Sequence, residues 1–137
     1  MTAIIVAIGI GWLCATVGVA AQAVTKGGNP KAAAIKNPTK PTPESIRRGR
    51  SEYMRACRHC HGVNAVGDGP LAPKNPSPAN LTDDKWEYGS TDGEIFTIIS
   101  NGVGANSEMK GVRSEVTATD RWNIVNYLRS IGPKTSN

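Results

Sequence analysis

Two thiols and an imidazole are crowded into five positions of this 137-residue chain, Cys57-Arg58-His59-Cys60-His61, and that crowding limits what can fold around them. The only other cysteine is Cys14, far away in an apolar stretch. A disulfide between Cys57 and Cys60 would close a very small loop and stabilise little, and a redox-active pair belongs with a strand-helix pattern that is absent here. Structural zinc needs four ligands, yet His59 and His61 are the only histidines, so zinc would require a strained four-ligand pentapeptide or carboxylates. The remaining chemistry is covalent haem. In C-x-x-C-H the two thiols add to the haem vinyl groups and the adjacent imidazole lies beneath the iron. Cys57 and Cys60 then form thioethers, His61 is an axial ligand, and His59 is an exposed polar side chain at a free position of the motif.

Composition agrees with a core filled by something other than side chains. Phe occurs once, aromatics are 5% of residues, and Gly and Pro number 15 and 9. A bound cofactor would supply the missing apolar volume.

The second axial ligand follows by elimination. With no histidine left over, the soft donors are Met1, Met54 and Met109. Met1 belongs to the apolar start of the chain, and Met54 lies one turn before Cys57, on or near the wrong side of the haem, where it reads as packing. Met109 sits 48 residues after His61 in the Gly-rich stretch NGVGANSEMKGV, which can bring a thioether over the far face. The competing readings at that position are a surface methionine and Lys110 as ligand.

Residues 2 to 25 carry no charge. About 20 helical residues at roughly 1.5 Å each cover the ~30 Å hydrocarbon core, so residues 1–23 are just long enough for a transmembrane anchor. Ala21-Gln22-Ala23 also fits signal cleavage, although no Lys or Arg precedes the apolar run. Both readings, anchor or signal peptide, send the rest of the chain across a membrane. Cys14 reads as a small apolar filler. Residues 24–43 contain four prolines, four lysines and no acid, the composition of a flexible linker reaching on the order of 60 Å. Once those lysines are set aside, residues 44–137 hold 12 basic and 11 acidic side chains, so the net charge of +5 does not imply a nucleic-acid partner.

Three helices are legible in residues 44–137, and no segment alternates as a strand. The first spans about Pro43 to Ala56, with Ile46, Gly49, Tyr53 and Ala56 on one narrow face. Gly49 costs about 1 kcal/mol inside a helix and predicts a close backbone crossing. Thr91-Asp92-Gly93-Glu94 has capping-box spacing ahead of a second helix ending at Asn101-Gly102. A third starts near Thr117 or Thr119, presents Ile124, Tyr127, Leu128 and Ile131, and stops at Gly132-Pro133. The stretch between residues 62 and 90 is loop, too long for a compact domain unless something packs inside it.

These stretches, SIRRGRSEYMRACRHCHG, GDGPLAPKNPSPANLTD, STDGEIFTIISNGVGANSEMKGV and TDRWNIVNYLRSIG, occur in the order shown by the single-haem class I c-type cytochromes of bacteria, and the chain resembles the membrane-tethered kind over essentially all of residues 44–137. The resemblance implies an all-α fold of three main helices around one covalent haem c. The first and last helices would cross, Gly49 and Tyr53 meeting Ile124 and Tyr127. It implies that the Pro70 carbonyl accepts a hydrogen bond from the free ring nitrogen of His61. It also places Trp86 and Tyr88 near a haem edge or its propionates, or in packing, with Trp122 in the core. The implied function is electron transfer, not catalysis, between redox partner proteins of a respiratory or photosynthetic membrane complex, on the periplasmic side of the cytoplasmic membrane. The rival from another class is a haem enzyme or gas sensor in which Met109 leaves the iron.

Overall fold

A computed structural model of the chain describes residues 26–132. The stretch read as a membrane anchor or signal, residues 1–23, lies outside them. Among the described residues the architecture is all-helical: α1 Pro30–Ala33, α2 Pro43–Ala56, α3 Arg58–His61, α4 Asp92–Asn101 and α5 Ala118–Ile131. No helix there is long and apolar enough to cross a membrane.

The helix starts are encoded locally. Thr42 caps α2 by accepting the Ser45 N–H at 3.2 Å, with Pro43 in the first turn where its missing N–H costs nothing. At α4 the expected capping box is complete, the Thr91 hydroxyl accepting from Glu94 N–H at 3.3 Å while the Glu94 carboxylate accepts from Thr91 N–H at 3.0 Å. Thr117, not Thr119, caps α5 through the Asp120 N–H at 3.1 Å.

Packing of α2 on α5 dominates the fold. A Cβ at Gly49 would collide with the Asn123 carbonyl and reach 3.0 Å from the Ile124 nitrogen, so glycine is what lets the two backbones touch. One turn later the rings of Tyr53 and Tyr127 meet at a centroid distance of 5.3 Å and a tilt of 54°. This is the crossing that Gly49 predicts. Ile95 and Ile99 of α4 complete the core with Trp122, Ile124, Val125 and Leu128 of α5. Trp122 stacks on Phe96 at 3.9 Å, in the core as expected.

The reading of residues 24–43 as a flexible linker is corrected over its described part. Residues 26 to 42 form a strap laid against the domain. Gly27 N–H donates to the Glu87 carbonyl at 2.7 Å, and Asn29 N–H donates to the Glu94 carboxylate at 2.8 Å. Ala32 is buried, and a side chain at Gly93 would strike the Ala32 carbonyl, so strap and α4 are in backbone contact. Further on, the Asn37 amide donates to Asn126 at 2.8 Å, and Asn126 donates to the Thr39 carbonyl at 3.0 Å and to the Ser45 hydroxyl at 2.8 Å. Linker composition misled because Pro and Lys describe a chain without its own hydrophobic stripe. What fixes this one is polar: backbone groups and amides answering Glu94 and Asn126. The strap also explains why α5 is buried all round from Arg121 to Leu128. Its outer face is covered, and the amides of Asn123 and Asn126 there are satisfied by Ser45 and the strap.

Candidate haem-binding site

The motif grows out of the C-terminus of α2. Cys57 ends that helix, its N–H still bonded to the Tyr53 carbonyl at 2.8 Å, and its own carbonyl starts the single turn α3 by accepting from Cys60 at 3.2 Å and His61 at 3.0 Å. Residues three and four apart on a helix are neighbours, so both sulfurs and the imidazole are presented from one turn. Both cysteines are unbridged. Burial pushes the Cys57 thiol up to about 12, so it is neutral at physiological pH. Among the described residues, no group of three or more His, Cys, Asp or Glu side chains is arranged to hold a metal ion.

The imidazole is fixed from behind. His61 Nδ1 lies 3.1 Å from the Ala79 carbonyl. A carbonyl can only accept, so Nδ1 carries the proton and Nε2 is left as the nitrogen with a lone pair. Burial lowers the His61 pKa, opposed by this bond, which favours the neutral ligand form.

Here the assignment of Pro70 is corrected: the acceptor is Ala79, 18 residues beyond His61. Pro70 is held elsewhere by its neighbours. The N–H groups of Gly67, Gly69 and Leu71 climb the open carbonyls of the α3 turn, bonding to His61 at 2.9 Å, Cys60 at 3.1 Å and His59 at 2.8 Å. That ladder lays residues 67–71 along the backbone of the motif and leaves Pro70 exposed beside His59. Gly69 permits it, since a Cβ there would meet the His59 carbonyl, and Gly67 has φ +86° with Pro78 packed against it. The chain then returns, and Leu81 N–H donates to the Ala65 carbonyl at 2.7 Å. Ala65, fully buried at φ 61°, is the one non-glycine among the described residues in the left-handed region. Local strain of that kind persists only where surrounding bonds over-determine it. Gly67, Gly69 and Ala79 were not singled out from sequence. The density of glycines just after the motif was the available signal.

Met109 comes from a separate element, the loop between α4 and α5. It is half-buried. Its backbone is tied on both sides: its carbonyl accepts from Val103 at 3.1 Å, its N–H donates to the Ser107 hydroxyl at 3.1 Å, and Gly102 pairs with Lys110 in an isolated bridge. The competing donor Lys110 is turned to the Ala105 carbonyl at 3.2 Å. Met54 packs against the core, as expected of a filler. Trp86 also packs on the core, under the Arg129 guanidinium at 5.9 Å from its ring centroid.

Two unbridged thiols on one turn and a ring nitrogen oriented by a carbonyl fit covalent haem, and Met109 stands on a separate loop held by its own hydrogen bonds. The profile described as cytochrome c oxidase, cbb3-type, subunit III matches residues 44–128. The chain belongs to that family. As a cbb3-type subunit III domain it is a class I c-type cytochrome, and its cofactor is a covalently attached haem c, for which Cys57 and Cys60 supply the C-x-x-C-H thiols. The cbb3-type cytochrome c oxidase subunit FixP of Azorhizobium caulinodans is 30% identical over 88 residues. That match covers 64% of this chain but 28% of the relative, so the chain spans under a third of the length of the curated relative it matches. Among solved structures, cytochrome cL of Methylophaga aminisulfidivorans is 28% identical with a TM-score of 0.53, covering 77% of this chain and 60% of that one. A chain of the reducing HAO-like protein complex of Kuenenia stuttgartiensis shares the fold, at 24% identity and a TM-score of 0.62 over 72% of this chain and 50% of its own.

Proposed function

We propose that this cbb3-type subunit III domain is a one-electron carrier, with Cys57 and Cys60 as haem attachment points and His61 and Met109 as the two axial ligands. The observation that carries the reading is the imidazole of His61, held by the Ala79 carbonyl with Nε2 left to bind iron. Bound there, the haem supplies a reversible one-electron couple. The chain's own residues set its conditions. Ala79 holds the His61 tautomer and raises its basicity. The bridge from Gly102 to Lys110 fixes the loop that carries Met109, which would hold the haem iron through its thioether and so raise the potential. With both axial positions taken by side chains no coordination site remains for a substrate, which favours a carrier over an enzyme.

Residues 1–23 read best as an anchor that places the domain on the periplasmic side of the cytoplasmic membrane, with signal cleavage as the other outcome. The strap of residues 26–42 is part of the described fold, which runs on through α5. Because the strap is bound to the domain, residues 26–42 do not act as a long swinging tether. The likeness to FixP supports a place within a membrane electron-transfer complex, taking electrons from one redox protein and giving them to another.

Carbon monoxide binding to the reduced holoprotein tests this. The wild-type protein is expected to be low-spin and to bind none at neutral pH, and Met109→Ala is expected to bind it. An unchanged low-spin spectrum in Met109→Ala would remove Met109 as ligand. Binding by the wild type would move the function to ligand sensing or catalysis.

A further inference from the structure

The haem-ligand segment is gripped at both ends by one residue that is not part of the motif. The backbone carbonyl of Tyr53 accepts the N–H of Cys57 at 2.8 Å, where the motif begins. Its phenol hydroxyl donates to the Gly62 carbonyl at 2.7 Å, one residue past His61. We infer that Tyr53 is a positioning residue for His61, its hydroxyl closing a bracket around residues 57–62 that fixes the imidazole beneath the iron. The inference rests on the reading of His61 as an iron ligand.

Three features separate this from plain packing. First, Tyr53 is fully buried, and Phe would fill the same space without burying a hydroxyl that must find a partner. Second, the carbonyl it holds belongs to a residue with no freedom to adapt. Gly62 has φ +80°, and a Cβ there would strike the Asp68 carboxylate. Gly62 N–H is committed to the Arg58 carbonyl at 2.9 Å, and among the described residues its carbonyl is shared only with the Ala65 N–H at 3.3 Å. Third, the ring of Tyr53 lies against Tyr127 at the α2–α5 crossing. The hydroxyl therefore ties the orientation of the ligand to the crossing where the two helix backbones touch. The Ala79 carbonyl sets the rotation of the ring, and Tyr53 sets the backbone from which the ring projects.

The test compares the full-length holoproteins of wild type, Tyr53→Phe and Tyr127→Phe, the last removing a hydroxyl from the same crossing that, among the described residues, makes no hydrogen bond to the motif. In Tyr53→Phe the Gly62 carbonyl keeps only the longer bond from Ala65, and its less neutralised oxygen beside the ligand favours the more highly charged oxidised state. The expected result is a lowered reduction potential and displaced paramagnetically shifted NMR signals of the His61 ring, with the haem still covalently held. Tyr127→Phe is expected to leave both unchanged. A Tyr53→Phe protein that loses stability but keeps the wild-type potential and His61 signals would reduce Tyr53 to packing. Should Tyr53→Phe not fold, the wild-type protein answers: a slowly exchanging Tyr53 hydroxyl proton with a coupling to the Gly62 carbonyl is expected, and its absence overturns the inference. If the shifted ring signals of the wild type do not belong to His61, the ligand assignment itself falls and the inference with it.

Discussion

The Glu94 carboxylate in α4 accepts a hydrogen bond from the backbone N–H of Asn29 at 2.8 Å, joining two residues 65 apart in sequence. The same carboxylate accepts from the Thr91 N–H at 3.0 Å and the Thr91 hydroxyl at 2.8 Å, so one side chain caps α4 and clasps the strap. Gly89 leaves the room it occupies. Hydrogen bonds to a buried charge contribute about 1.5–3 kcal/mol each, and losing an acceptor strands its donors. Glu94→Ala is therefore expected to cost about 3 kcal/mol in denaturant unfolding. It should also release the strap backbone for tryptic cleavage after the exposed Lys31 and Lys36 while α2 to α5 stay folded. Equal protection of the strap in wild type and variant would show that Glu94 is a cap only.

Acid should open the same clasp. Burial alone would raise the Glu94 pKa, but the N–H groups of Thr91, Asn29 and Ser90 and the Thr91 hydroxyl outweigh it, holding the carboxyl below its usual range. A group whose folded pKa is depressed contributes stability that is complete above its unfolded value, about 4.3, and is lost as pH falls through the lower folded value. Strap amides are thus expected to be protected from hydrogen exchange at pH 5 and above and to lose protection below about pH 4. Glu94→Gln should flatten that dependence without abolishing it. Asp120, held low chiefly by the hydrogen bond from Arg48 and also by those from Thr117 and Asn123, titrates in the same direction.

Helix ends and the haem motif were legible because each is a local device. Thr91 and Glu94 announce a cap three residues apart, and Cys57, Cys60 and His61 announce their chemistry in five positions. Gly49 could be read as a crossing point because glycine inside a helix is otherwise a cost. The acceptor behind His61 was not legible. A backbone carbonyl has no side-chain signature, and the loop of residues 62–78 can fold at several lengths before it returns to the ring. The strap was missed for a related reason. Its partners, Glu94 and Asn126, lie far along the chain, and the side chains of Asn29 and Asn37 look like ordinary loop residues until those partners are in place.

At the crossing of α2 and α5 the backbones are too close for any side chain on Gly49. Gly49→Ala gains about 1 kcal/mol in helix propensity. Against this, the new Cβ meets the Asn123 carbonyl, which is main chain and cannot rotate away. Overpacking of that kind costs about 1–3 kcal/mol or more, and parting the helices would also loosen Tyr53 from Tyr127. A net loss of about 2 kcal/mol is expected in equilibrium unfolding of the holoprotein. A variant as stable as wild type would mean that the helices pass further apart than the structure places them.

Arg121 opens the opposite possibility, a substitution that stabilises. It is buried against α4 with its guanidinium carbon 5.0 Å from the centroid of Phe96, yet its Nε and Nη1 have no hydrogen-bond partner among the described residues. Burial, and to a lesser extent the nearby Arg113, lowers its pKa, the signature of a cation held where it is poorly compensated. Cation–π attraction returns about 0.5–2 kcal/mol, while an unpaired buried charge costs several. Methionine has a similar length, remains in contact with the aromatic ring and brings no charge. Arg121→Met is expected to raise stability by about 1 kcal/mol, or roughly 4–8 °C in the melting temperature of a domain this size. Arg121→Lys, which keeps the charge and loses the planar stack on Phe96, should melt lower than wild type. Thermal unfolding of the two holoproteins followed by circular dichroism separates these outcomes, and a drop in both would mean that the guanidinium is fully paired in solution.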